Sequence, residues 1–164
     1  MTGYIQPIGG VQELGLTELI GINEQVDQND YSGSVSVDVS GPNSTPVSGV
    51  IEQFTFYQTE DDGGAMLSPA GTLFILDADP AVSSGDTALA AAEWPTVIGQ
   101  VDVTAVDWSA DANGSSATIT DTPIWFHGLA TLYFVFKLTS ATSINSAADD
   151  DEQLEVNGWY VRYS

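Results

Sequence analysis

The chain has 164 residues, with 23 acidic side chains against 2 basic ones and a formal net charge of −21. That imbalance excludes a broad nucleic-acid-binding surface, which needs Lys and Arg against phosphate, and disfavours anionic lipid for the same reason. Hydrophobic residues make up 43%, enough for the core of one domain, and the absence of Cys removes disulfides and thiolate chemistry.

Residues 1–30 differ from the rest. Tyr4, Ile5, Ile8, Val11, Leu14, Leu16, Leu19 and Ile20 are spread among Gly3, Pro7, Gly9, Gly10, Gly15 and Gly21. The glycines argue against a long helix. A short helical turn near Leu16–Ile20 or a strand over Leu19–Val26 fits the pattern. The segment reads as an extended N-terminal arm that lies across a neighbouring subunit, or else covers an open end of its own body. Its opening lacks a basic stretch followed by an apolar run, so no signal peptide is expected. No apolar run approaches the length of a membrane span.

Residues 31–164 read as one strand-rich domain. Ser34–Ser40 alternates Val35, Val37 and Val39 with polar residues, the pattern of a half-exposed strand. A Gly-Pro-Asn loop over 41–46 precedes a strand over Val50–Thr59, apolar on both faces and so expected to be internal. After a turn at 60–64 comes a short strand, Thr72–Leu76. Ser83–Trp94 contains the best helix candidate, capped by Ser84 or Asp86, Ala-rich from Thr87 to Glu93 and stopped by Pro95. A long strand is expected over Thr96–Trp108, with a bulge at Gly99 or Ala105. A hairpin turn over 111–114 leads into Ser116–Thr120, pairing back antiparallel. Pro123–Gly128 and Thr131–Thr139 supply the central aromatic material. In the latter, Leu132, Phe134, Phe136 and Leu138 should face a core, while Tyr133, Val135 and Lys137 point to solvent or another chain. An acidic loop over 145–152 precedes the last strand, Leu154–Tyr163. The pattern predicts an all-β, antiparallel β-sandwich, jelly-roll-like, with an extended N-terminal arm and one short helix.

Few residues suggest chemistry. His127 is the single histidine, which rules out a multi-histidine metal site, and no serine stands in a nucleophile elbow. A packed or hydrogen-bonded histidine is the simpler reading. Asp61, Asp62, Asp77, Asp79, Asp149, Asp150 and Asp151 form acidic clusters. None has EF-hand spacing, so a solvated acidic surface is favoured over a calcium site, and neither metal nor cofactor is expected. Such a surface suits salty water or a basic partner. Trp94, Trp108, Trp125 and Trp159 with several tyrosines would serve as core and interface anchors, or as a sugar-stacking platform. In the last strand Trp159, Val161 and Tyr163 share one side, and Tyr160 and Arg162 the other. Tyr4, Ile5, Ile8, Trp159, Tyr160, Arg162 and Tyr163 are therefore the candidate interface residues.

The strand-rich body runs from GSVSVDVSG through VIEQFTFYQTEDDGG and TLFILDADP to TLYFVFKL and LEVNGWYVRYS. With the apolar arm, no export signal and no catalytic motif, it resembles a capsid decoration or cement protein of a tailed bacteriophage. The resemblance implies a β-sandwich or β-tulip body, a homotrimer over a capsid symmetry axis and a place on the capsid surface of the virion. It implies the major capsid protein or other virion subunits as partners, with no nucleic acid, membrane or catalysis. Alternative expectations are a carbohydrate-binding or host-attachment β-sandwich module, and another tail, collar or fibre component.

Overall fold

The computed structural model describes residues 10–21, 24–59, 68–111, 114–140, 144–145 and 153–163. Its strands are β1 (Val11–Glu13), β2 (Thr17–Ile20), β3 (Gln25–Val26), β4 (Val35–Asp38), β5 (Val47–Thr59) and β6 (Gly71–Leu76). They continue with β7 (Val97–Val103), β8 (Trp108–Asp111), β9 (Gly114–Leu129), β10 (Thr131–Leu138), β11 (Ile144–Asn145) and β12 (Gln153–Arg162).

Two-residue alternation builds the core. On β10, Leu132, Phe134, Phe136 and Leu138 are 0–1% exposed. Across from them β5 contributes Ile51, Phe54 and Phe56, and two aromatic pairs join the layers: Phe54 with Phe134 and Phe56 with Phe136, each with ring centroids 6.1 Å apart. Two antiparallel sheets face each other. The six-stranded one runs β1-β12-β5-β9-β8, with β2 also on β12, and the four-stranded one runs β4-β10-β6-β7. In chain order β2, β4, β5, β6, β7, β9, β10 and β12 visit the sheets so that β2-β12-β5-β9 stacks on β4-β10-β6-β7. That is the order of an eight-stranded jelly roll. A small ladder of β3 with β11 is hydrogen-bonded to neither sheet, and its Val26 and Ile144 are buried in the same core.

β5 lies between β12 and β9, internal as its two apolar faces require. The described part of the leading segment lies along the chain's own last strand: Val11 opposite Val161, Leu14 N–H donating to Gly158 O, and Ile20 opposite Leu154. Gly15, at φ +83°, lies between β1 and β2 in a conformation that favours glycine.

Three expectations change. The strand expected over Thr96–Trp108 is two strands in different sheets. Asp107 Oδ2 accepts from both Thr104 N and Thr104 Oγ1 at 2.7 Å, and this cap folds Ala105–Asp107 into a 3₁₀ turn between β7 and β8. The bulge falls beside Gly99, where Ile98 is the extra residue: Gly99 faces Ile75 and Val97 faces Leu76.

The helix expected over Ser83–Trp94 is absent. Turns and a 3₁₀ turn at Trp94–Thr96 replace it, with Gly85 at φ +86°. The Ala-rich run is too short to offset helix nucleation and has only Leu89 to bury. Asp86 and Glu93 accept from the backbone N–H of Ser83 and Ala90 instead.

The second face of β10 meets neither solvent nor another chain at Val135. Tyr31, Phe74, Leu76, Val82, Leu89 and Val135 form a second buried cluster there, roofed by the segment between β6 and β7. Trp94 packs edge-on against Phe74 at 5.7 Å, and Lys137 Nζ lies 5.2 Å from the centre of the Tyr31 ring.

Candidate functional site

The outer face of the six-stranded sheet carries no such roof among the described residues. Directly opposed residues on neighbouring strands share a face. Val11 opposes Val161, Val161 opposes Val50, and Val50 opposes Trp125, so one apolar row crosses β1, β12, β5 and β9. Its ends are open, with Val11 62% and Trp125 60% exposed, while Val50 in the middle is covered by its neighbours. Tyr163 extends the row by stacking on Trp125, with ring centroids 5.6 Å apart and planes 19° from parallel.

The next row is Glu13, Trp159, Gln53 and Thr120. Between the rows the ladder of β5 with β9 is interrupted. Ile51 pairs with Ile124 and Gln53 with Thr120, which leaves Glu52 alone on β5 against Asp121, Thr122 and Pro123 on β9. Asp121 takes φ +64°, a left-handed conformation that Asp tolerates better than most side chains. The insertion opens a groove of about 760 Å³. Val11, Pro123 and Trp159 give it apolar walls, and Glu52, Asp121, Gln53 and Thr120 add carboxylate, amide and hydroxyl groups. Bulges of this kind re-aim side chains and recur beside binding sites.

Electrostatically the groove is one-sided. The chain has two basic side chains, and both lie elsewhere. Lys137 sits over Tyr31 on the other sheet. Arg162 lies at the end of the sandwich, where a Cβ on Gly41 would come within 3.0 Å of its Nη1, and its buried Nε has no hydrogen-bond partner among the described residues. Burial pushes the Tyr160 phenol above its ordinary pKa, with Arg162 opposing that shift and Asp38 adding to it. Farther along the same sheet, Glu18 stands directly opposite Glu155. Partial burial, then the like charge of Glu18, raise the Glu155 carboxyl above its usual range.

Of the residues expected at an interface, Trp159 and Tyr163 share the open face. Tyr160 is only 6% exposed and packs in the core against Phe126 at 5.8 Å. Its position follows from the alternation itself: the side opposite Trp159 and Tyr163 is the core side. Tyr4, Ile5 and Ile8 lie outside the described residues. The four tryptophans form no single platform: Trp94 lies over the other sheet, and the Trp108 indole donates to Pro69 O at 2.9 Å.

His127 Nδ1 is 2.8 Å from Ser48 Oγ, which also accepts from the Gly128 N–H at 3.1 Å. Asp79 accepts from Ser34 Oγ and from Ala81 N–H, closing its own loop. Asp61, Asp62, Asp149, Asp150 and Asp151 lie outside the described residues. Among the described residues no three His, Asp or Glu side chains are grouped to hold a metal ion.

Sequence reasoning missed Val11, Glu52, Gln53, Thr120, Asp121 and Pro123 as one site. The visible signal was Asp121-Thr122-Pro123 between two strand-like stretches. It reads as a break between two strands and is instead a bulge within one.

No family model and no curated protein matches the chain. Among solved structures it is similar to a crystal structure of FlhE, at 16% identity and a TM-score of 0.36, over 94% of this chain and 98% of that one. It is also similar to a chain of Cocksfoot mottle virus, at 9% identity and a TM-score of 0.32, over 94% of this chain and 96% of that one. At these scores neither likeness carries a functional reading.

Proposed function

We propose that this chain is a virion structural protein that decorates and cements the capsid shell of a tailed phage, docking through the outer face of its six-stranded sheet. The observation that supports this reading is the row Val11-Val161-Val50-Trp125, open at Val11 and Trp125 and flanked by Tyr163 and Trp159, on a sheet whose partner sheet is roofed by the chain itself. Exposed aromatic and aliphatic groups arranged in a flat row make an interface core once water is excluded. A standard contact buries roughly 1,200–2,000 Å². Many copies around a shell turn modest affinity per site into firm retention. On this reading the protein sits on the capsid surface as a homo-oligomer, a trimer by resemblance, and bridges neighbouring capsid subunits. It transforms no substrate and needs no cofactor.

The test is reconstitution. Undecorated shells of the cognate phage, mixed with the purified chain, should bind it at saturating, symmetric occupancy and disrupt at a higher temperature. Shells that neither bind the chain nor gain heat resistance would overturn the reading.

A second reading, a carbohydrate-binding or host-attachment module, is favoured by the groove itself, which sets Trp159 beside amide, hydroxyl and carboxylate groups. A glycan array separates it from the first.

A further inference from the structure

We infer that the groove beside Trp159 is a receptor for an arginine side chain presented by a protein segment of the partner. This deepens the docking reading above and rests on it for the identity of the partner, though not for the chemistry.

Three observations carry it. First, the groove combines two carboxylates, Glu52 and Asp121, with the indole of Trp159 and the apolar Val11 and Pro123. A guanidinium suits that mixture: it forks to carboxylates, stacks on an aromatic ring, and brings an aliphatic stem to apolar walls. Second, no lysine or arginine side chain of this chain supplies the countercharge. Its only Lys and Arg are Lys137, over Tyr31, and Arg162, against Gly41, and neither lines the groove. Third, the net charge of −21 sets the sign of any partner. A second copy would bring the same negative field to this face, and an anionic ligand would be repelled. A basic segment is steered in.

The full chain is titrated with the peptide Gly-Arg-Gly-Arg-Gly at low salt and followed by Trp fluorescence and calorimetry. The same peptide with citrulline for arginine keeps the shape and removes the charge. A panel of neutral oligosaccharides is run beside it. The arginine peptide should bind, the citrulline peptide about tenfold or more weaker, which is the ratio that one lost charge-assisted contact produces. Binding should weaken steeply as salt rises. The double variant E52Q/D121N should lose at least tenfold by the same measure. Asn tolerates the left-handed backbone of position 121, so the bulge should survive, and melting temperature checks this. Trp159→Leu should lose affinity as well, while Trp94→Leu on the other sheet should bind as wild type does.

Equal binding of the two peptides, full affinity in a folded E52Q/D121N, or capture of a neutral sugar without the arginine peptide would each overturn the inference. If shells take up wild type and E52Q/D121N alike, the arginine receptor falls and the docking reading stands. If shells bind neither while the peptide still binds, the docking reading falls and the receptor stands.

Discussion

The two sheets of this jelly roll treat their outer faces in opposite ways. The four-stranded sheet covers its own: Val82 and Leu89, from the segment between β6 and β7, bury Val135, Phe74 and Leu76. The six-stranded sheet leaves the two ends of an apolar row, Val11 and Trp125, in solvent and breaks its β5–β9 ladder to open a groove beside it. Both faces carry similar residue types, so hydrophobicity alone does not tell them apart. The difference, among the described residues, is whether a segment of the chain covers the face. Where it does, apolar residues stabilise the fold; where it does not, they are available to something else.

Mutation should separate the faces. Leu89→Ala removes the side chain that pins the roof and should cost about 2–4 kcal/mol in urea unfolding, within the range for buried Leu→Ala. A cost below about 0.5 kcal/mol, the level of an unremarkable surface change, would mean the roof is loose. On the open face, Trp125→Ser should cost no more than about 1 kcal/mol, chiefly the lost stack on Tyr163. The same change should abolish uptake by shells, as Leu89→Ala in a still-folded protein should not.

Salt should act on the molecule as a whole. With 23 acidic and 2 basic side chains, self-repulsion falls as ions screen it, so thermal unfolding should move up by several degrees between dilute buffer and molar NaCl. A melting temperature that falls with salt would show that specific ion pairs outweigh the net charge.

The smallest effect concerns Glu155 and Glu18. Burial and the opposing carboxylate raise the folded pKa of Glu155 above its usual value of 4.5. The folded state therefore binds more protons than the unfolded one between those two values, and stability falls as pH rises through that window. The penalty is absent below the unfolded pKa and complete above the folded one. Glu155→Gln should remove this slope and leave the protein slightly more stable at neutral pH. An unchanged pH profile of unfolding would show that solvent screens the pair.

The sequence was most informative where alternation ran unbroken. The core side of β10 follows from which residues lie two apart, because burial on one face enforces register. It was least informative where short-range side-chain bonding competes with pattern. Thr104 and Asp107 cut one apparent strand into two, and Glu93 ties up the Ala90 N–H that a helix would have used. The groove was hidden for a third reason. Glu52 and Asp121 are distant in sequence and meet only because β5 and β9 pair out of step, a register that no local signal encodes. The separation of Trp159 and Tyr163 from Tyr160 was legible, but which side faced outward depended on the second sheet.

Trypsin cuts after Lys and Arg, and this chain offers it two such bonds. Lys137 lies within β10, an inner strand of the four-stranded sheet, and Arg162 ends β12, the strand that pairs with β1, β2 and β5. Native protein should therefore resist the protease almost completely, because a protease must bind several residues in extended form and these are already paired. Cleavage at Lys137 would report opening of the four-stranded sheet, making the scarcity of positive charge a convenient clock for how often the molecule comes apart.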